Sequence, residues 1–149
     1  MAVQNSVDNT NVPLILSGDS LIRYENIEQL IGRTTPILYG TVMAKKAAGN
    51  WTPFNNVAGV DGSAIPRGIY LGNDITAAAI AADNKDGCAI LVGGCCTVNE
   101  SLVVFDDGTL NADSIIGVGT IHAATARDVI AEVSGIFFEG TVNISEHEN

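Results

Sequence analysis

Apolar positions fall in short runs separated by turn chemistry. From Thr34 the chain reads TTPILYGTVMAKKAAGNWTPF, then AIPRGIYLGNDITAAAIAADNKDG, then CAILVGGCCTVNESLVVF. Pro36 to Ala44 alternates, with Leu38, Val42 and Ala44 on one face and Ile37, Tyr39, Thr41 and Met43 on the other, which predicts a half-buried strand. Lys45 to Asn50 supplies a turn, and Trp51 to Phe54 returns. Pro53 has no amide hydrogen, so that return strand is short or at an edge. Trp51 is expected to pack against the core. Arg67 to Gly72 predicts a strand bracketed by glycines. Asn73 to Ala82 reads equally as an alanine-rich helix or as a strand of small residues. Asp83 to Gly87 predicts a turn. Cys88 to Val98 is the longest β run, and Gly93-Gly94 in its middle predicts a bulge or bend.

Upstream the pattern changes. Met1 to Asn11 is almost wholly polar and, free in solution, is expected to be disordered. Val12-Pro13-Leu14-Ile15-Leu16 is then abruptly apolar, and Pro13 disfavours helix there. This run is either the first strand of the domain or an arm that pairs with a neighbour by strand addition. Ser17 to Ser20 predicts a turn. Leu21 to Ile31 has spacing that suits a short helix or a loosely packed extended segment. The expected division is an N-terminal arm over residues 1–33 and a core domain over residues 34–149.

Downstream, Asn55 to Pro66 reads as a loop. Ser101 to Phe105 predicts a short strand and Asp106-Asp107-Gly108 a turn. Ala126, Val129, Ile130 and Val133 follow helical spacing, with Thr125 as N-cap, Asp128 three residues on and Gly135 as the stop. Ile136 to Ile144 predicts a last strand, with Ile136, Phe138, Val142 and Ile144 on one face and Phe137, Glu139, Thr141 and Asn143 on the other. The remaining tail is polar. The expected fold class is α+β: a small β-rich domain with one or two short helices and a flexible N-terminal arm.

Composition narrows the function. The 149 residues fit one domain, and only 5% are aromatic, so the core is built mostly of aliphatic side chains. The net charge of −10 argues against direct nucleic-acid binding, because phosphate affinity needs clustered cations. Residues 100–149 hold nine of the 17 acids and one of the seven bases. That acidic third reads as a solvated face, or as one that keeps copies apart or meets a basic partner. Cys88, Cys95 and Cys96 lack metal-ligand spacing and are expected to be small buried residues, as suits a reducing compartment. Adjacent Cys95 and Cys96 point to opposite faces of a strand. No apolar run approaches a membrane span, and no secretory leader pattern is present. No nucleophile elbow, zinc-hydrolase pair or phosphate loop appears, and Gly117-Val118-Gly119 lacks the rest of a dinucleotide fingerprint. No catalytic residue, metal ligand or cofactor is therefore expected.

Several pieces in order carry a resemblance. They are Thr35-Pro36-Ile37-Leu38 after a polar arm, a hairpin returning at Trp51, and Arg67-Gly68-Ile69-Tyr70-Leu71. Ala81-Ala82-Asp83, Gly87, Ile90-Leu91-Val92 and Leu102 to Phe105 follow. The helix with Arg127, ending at Gly135-Ile136, and a terminal strand complete the set. Over about residues 34–144 the chain resembles the head decoration (cement) proteins of tailed bacteriophages, the lambda protein D type. The resemblance implies a structural virion protein, not an enzyme. It implies homotrimers on the outer capsid surface, bound at three-fold sites of the expanded head and assembled in the host cytoplasm. The partner it implies is the major capsid protein, contacted by the N-terminal arm. Here that arm corresponds to Val12, Pro13, Leu14, Ile15 and Leu16, with Leu21, Ile22 and Tyr24. Departures are the length of the arm, the Asn55 to Pro66 loop and the Gly93-Gly94-Cys95-Cys96 run. The alternatives are another phage structural β-domain, of a fibre or a capsid-linked module, or a small-ligand-binding domain.

Overall fold

The structure is a computed structural model, and it describes residues 13–56, 61–117 and 123–140. In chain order its strands are β1 (Ile15–Ile27), β2 (Val42–Lys45), β3 (Trp51–Pro53), β4 (Gly68–Tyr70), β5 (Lys85–Asn99), β6 (Ile115–Ile116), β7 (Ala124–Thr125) and β8 (Ile136–Glu139). Its helices are α1 (Ala77–Ala82) and α2 (Ala126–Ser134). The fold is the small, mostly β, α+β domain that the residue pattern predicts.

Six strands lie in the order β1-β3-β2-β4-β5-β8, and β1 also pairs with β5, which closes the first five into a ring. The short strands β2, β3 and β4 each have a strand on both sides, so none of the three offers a free edge. The alternation along them is used on both faces. Val42 and Ala44 enter one apolar cluster with Ile69, Leu91 and Phe54. Met43, between them, enters a second with Tyr70, Ile90, Ile37 and Trp51. The face assignment read for Val42 and Ala44 against Ile37 and Met43 therefore holds. Regular strand is confined to Val42–Lys45, while Ile37 and Thr41 make isolated bridges to Ile75 and Val104.

The first cluster is closed by α2 and β8. Ala126, Ile130, Ile136 and Phe138 are all buried in it. The Thr125 hydroxyl accepts from the Asp128 amide at 3.2 Å, and Gly135 ends the helix at φ 68°. Both end signals sit where the sequence places them. The second cluster is covered by α1 through Ile80. The alanine-rich segment is thus helical. Thr76 caps it, accepting from Ala79 N at 3.2 Å, and an N-cap tips a short segment that alanine propensity alone leaves undecided.

Three expectations are corrected. Ser101 to Phe105 is not a strand: Glu100–Leu102 forms a 3-10 turn, capped by Asn99 accepting from Ser101 N at 3.1 Å. The turn after α1 is shorter than Asp83 to Gly87, because β5 already begins at Lys85. Ser17 to Ser20 is not a turn: all four residues lie within β1, paired to Thr97, Cys96, Cys95 and Gly94 of β5, and that ladder outweighs their local turn chemistry. Of the two readings of Leu21 to Ile31, the extended one holds over Leu21 to Ile27, which continues β1. The last strand is observed over Ile136–Glu139 and stops before Gly140, and the rest of its expected course, Thr141 to Ile144, lies outside the described residues, as do Met1 to Asn11.

Candidate interaction surface

β1 carries the feature that function can be built on. It pairs antiparallel with β5 from Ile15 opposite Val98 to Glu25 opposite Cys88. On its other side it meets only β3, at Ile27 opposite Trp51. Ile15 to Glu25 therefore presents an outer edge with no strand against it among the described residues, about 35 Å long at about 3.3 Å per residue. An unpaired edge offers backbone donors and acceptors to another chain.

The side chains along this edge divide the predicted contact set. Leu14 is buried at 1% exposure inside the first cluster, and its carbonyl accepts from Asn99 N at 2.7 Å. Ile15 is half-buried against the same cluster. Leu16, Leu21 and Ile22 are 39%, 45% and 41% exposed, and Tyr24 is 74% exposed. Pro13 is exposed and Val12 lies outside the described residues. The expected boundary at residue 33 is not a structural one. Leu14 to Ile27 belongs to the sheet of the body, because Leu14 and Ile27 gain burial at either end and the backbone between them gains a ladder. Leu14 and Ile15 act as anchor, and Leu16, Leu21, Ile22 and Tyr24 remain as surface.

The ladder is bent where the glycine pair predicts. Leu21 lies opposite Gly93 and Ile22 opposite Leu91, so Val92 is the extra residue of a bulge. Gly94 sits at φ 105°, and a Cβ there would overlap the Asp19 carbonyl oxygen. A second irregularity lies between Glu25 opposite Cys88 and Ile27 opposite Lys85, where Asp86 and Gly87 fall out of register.

The rest of the surface has other apolar groups that sequence patterning did not single out. Ile31 is 85% exposed, Ile115 53% and Phe137 46%. Phe137 faces away from the core while its neighbours Ile136 and Phe138 face in. The two-residue period placed it on the face opposite Ile136, and that was the only signal for it. Cys95 is also exposed, against expectation, while Cys96 is buried. The opposite-face rule for adjacent strand residues holds for that pair.

Several polar groups near the concave regions are committed to the fold. An open groove of about 530 Å³ is lined by Tyr24, Tyr70, Asp74, Ile75, Ala79 and Cys88. The Tyr70 hydroxyl donates to the Asn73 carbonyl at 2.5 Å, and burial first, then the nearby Cys88 and Asp74, pushes its pKa up to about 12. Burial and then Asp86 push the Cys88 thiol up, which keeps it neutral. A smaller pocket of about 270 Å³ lies beside Arg33 and Asp106. That guanidinium is spent on the fold: it donates to Thr35 O at 2.7 Å, to Pro36 O at 3.2 Å and to both Asp106 oxygens. Arg127 likewise bridges Glu100 at 2.7 Å, Asp113 at 3.2 Å and the Phe138 carbonyl at 3.1 Å. Among the described residues no group of three or more His, Cys, Asp or Glu side chains could hold a metal ion. No described helix is long and apolar enough to cross a membrane.

Compared with known proteins, the sequence matches no family model and no curated relative.

Proposed function

We propose that the chain is a structural virion protein that binds, as trimers, the outer surface of an expanded phage head at three-fold sites. Its partner is the major capsid protein, and its role is to stabilise the shell against the pressure of packaged DNA. The observation that carries this reading is the outer edge of β1, with Leu16, Leu21, Ile22 and Tyr24 exposed along a strand whose outer side no described strand covers from Ile15 to Glu25. Strand addition supplies main-chain hydrogen bonds, and side-chain pockets on the partner supply selectivity. Many copies on one lattice gain by avidity, so each contact can be weak. Closed trimers are an ordinary symmetric assembly. The acidic surface suits a protein that meets the shell and not the nucleic acid within.

The test is co-sedimentation of the full chain with purified expanded heads. The wild type is compared with a variant carrying Leu21→Ser, Ile22→Ser and Tyr24→Ser. Circular dichroism and chain mass in solution report whether that variant keeps its fold and its assembly. Loss of head binding by a folded trimer supports the reading. Undiminished binding by the variant overturns the role of β1, and failure of the wild type to bind any expanded head overturns the function.

A further inference from the structure

Three aspartate-glycine steps occur in the chain: Asp61-Gly62, Asp86-Gly87 and Asp107-Gly108. All three aspartates are exposed, so access does not separate them. Their carboxylates do. Asp61 Oδ1 accepts from the Ser63 amide at 3.0 Å and the Ser63 hydroxyl at 2.7 Å, and Lys46 lies 3.6 Å from its other oxygen. Asp107 Oδ1 accepts from the Thr109 amide at 2.9 Å and the Thr109 hydroxyl at 2.7 Å. In each, a ring of hydrogen bonds to the residue two positions on holds the side chain away from its own following amide. Asp86 has no such lock: its carboxylate makes no hydrogen bond or ion pair among the described residues. Its step also falls in the ladder irregularity, between Cys88 opposite Glu25 and Lys85 opposite Ile27. Gly87 stands at φ 67°, and nothing lies within 4 Å of where its Cβ would be.

We infer that Asp86-Gly87 is a site of spontaneous aspartate isomerisation in the folded protein, and that the other two steps are protected. The chemistry needs only solvent water. The Gly87 amide nitrogen attacks Cγ of the protonated Asp86 carboxyl group. A Cγ–N bond forms, the Cγ–OH bond breaks, and the hydroxyl leaves with the amide proton as one water. The resulting succinimide is opened by one water. Attack at Cγ restores aspartate. Attack at the main-chain carbonyl carbon breaks its bond to nitrogen and leaves isoaspartate, with the backbone running through Cβ and Cγ. The product has the mass of the starting chain. The locks act on reactivity as well as on approach. Hydrogen bonds from Ser63 and from Thr109 hold the Asp61 and Asp107 carboxyls below the usual range, so at mildly acidic pH less of each is in the protonated, electrophilic form. The extra backbone atom at Asp86 would enter a segment where β5 already carries an unmatched residue, beside the groove lined by Tyr24 and Cys88.

The experiment ages the full chain at mildly acidic pH, folded in buffer and in parallel unfolded in urea. Isoaspartate at each site is read by methyltransferase labelling and by fragmentation mass spectrometry of peptides. Each site is scored by its folded rate divided by its own unfolded rate. The expected result is a ratio at Asp86 several-fold higher than at Asp61 and Asp107, with succinimide seen as the transient loss of one water. Asp86→Glu, which lengthens the side chain and disfavours the five-membered ring, is expected to remove the folded-state signal. A ratio at Asp86 no higher than at the other two overturns the inference, as does a folded-state signal that survives in the glutamate variant.

Discussion

The indole nitrogen of Trp51 donates to the Glu25 carboxylate at 3.3 Å. The contact ties β3 to the far end of β1, next to the parallel bridge between Ile27 and Trp51. Trp51 is the only tryptophan and is 3% exposed, so its emission reports on this junction. Glu25 also lies 3.9 Å from Lys45 on β2, a long and partly screened pair. Glu25→Ala is therefore expected to cost about 1 kcal/mol, mostly from leaving the indole N–H without a partner. Urea unfolding followed by Trp51 emission measures it. A cost indistinguishable from zero, with unchanged emission, would show that the contact does not hold the junction.

Leu14 separates an anchored strand from a free arm more sharply. It is buried at 1% exposure with Val98 and Phe138 in the same cluster, while Leu16, two residues on, is 39% exposed. Leu14→Ala is expected to lower stability by about 2–4 kcal/mol, the range for truncating a buried leucine. Leu16→Ala is expected to change it by less than about 1 kcal/mol in the isolated protein. Equal, small effects from both would mean that Leu14 leaves the core in solution.

That contrast also marks how far the residue pattern could be read. The alternation in Val42, Met43 and Ala44, the cap and stop of α2 at Thr125 and Gly135, and the bend at Gly93-Gly94 were legible because local chemistry decides each of them. The candidate surface was legible in part. The apolar residues of positions 12 to 24 stood out against a polar background, but composition says only that they want cover. It does not say whether the cover is the chain's own core or another molecule. Leu14 found Val98, which is 84 positions away, through a pairing that no local signal announces. Leu21 and Tyr24 lie on the same strand and did not. Cys95 is exposed for the same reason, since strand alternation puts it on the outer face once Cys96 takes the inner one. Phe137 lacked any such contrast: one exposed aromatic beside two buried neighbours becomes visible only when the face it occupies is known to be uncovered.

Gly94 tests the bend in the β1–β5 ladder. Its φ of 105° is a conformation that residues with a Cβ rarely adopt, and the added methyl would also press on the Asp19 carbonyl of β1. Gly94→Ala is expected to destabilise the protein by about 2 kcal/mol or more, combining backbone strain with the clash. Amide hydrogen exchange should rise first over β1, since among the described residues no second strand holds its outer side from Ile15 to Glu25. A uniform rise over all strands would instead mean that the ladder opens only with the whole fold.

Tyr70 should set a limit on stability at high pH. Its ring is 3% exposed, and burial lifts its hydroxyl from the ordinary value near 10 to about 12. The folded state therefore holds the proton more tightly than the unfolded chain does. Below pH about 10 both states are protonated and the full contribution is present. Above it the unfolded chain ionises first and binds fewer protons, so its free energy falls relative to that of the fold. Stability is thus expected to fall as pH rises from about 10 to about 12, by up to about 2–3 kcal/mol from this one group. Tyr70→Phe removes the ionisation. It also gives up the hydrogen bond to the Asn73 carbonyl, so it should be about 1 kcal/mol less stable at neutral pH. Across the alkaline window its stability should then fall less steeply than that of the wild type, so that the two curves converge. Urea midpoints at a series of pH values, for both proteins under the same salt, decide it. Parallel curves through the window would place the loss of alkaline stability on groups other than Tyr70.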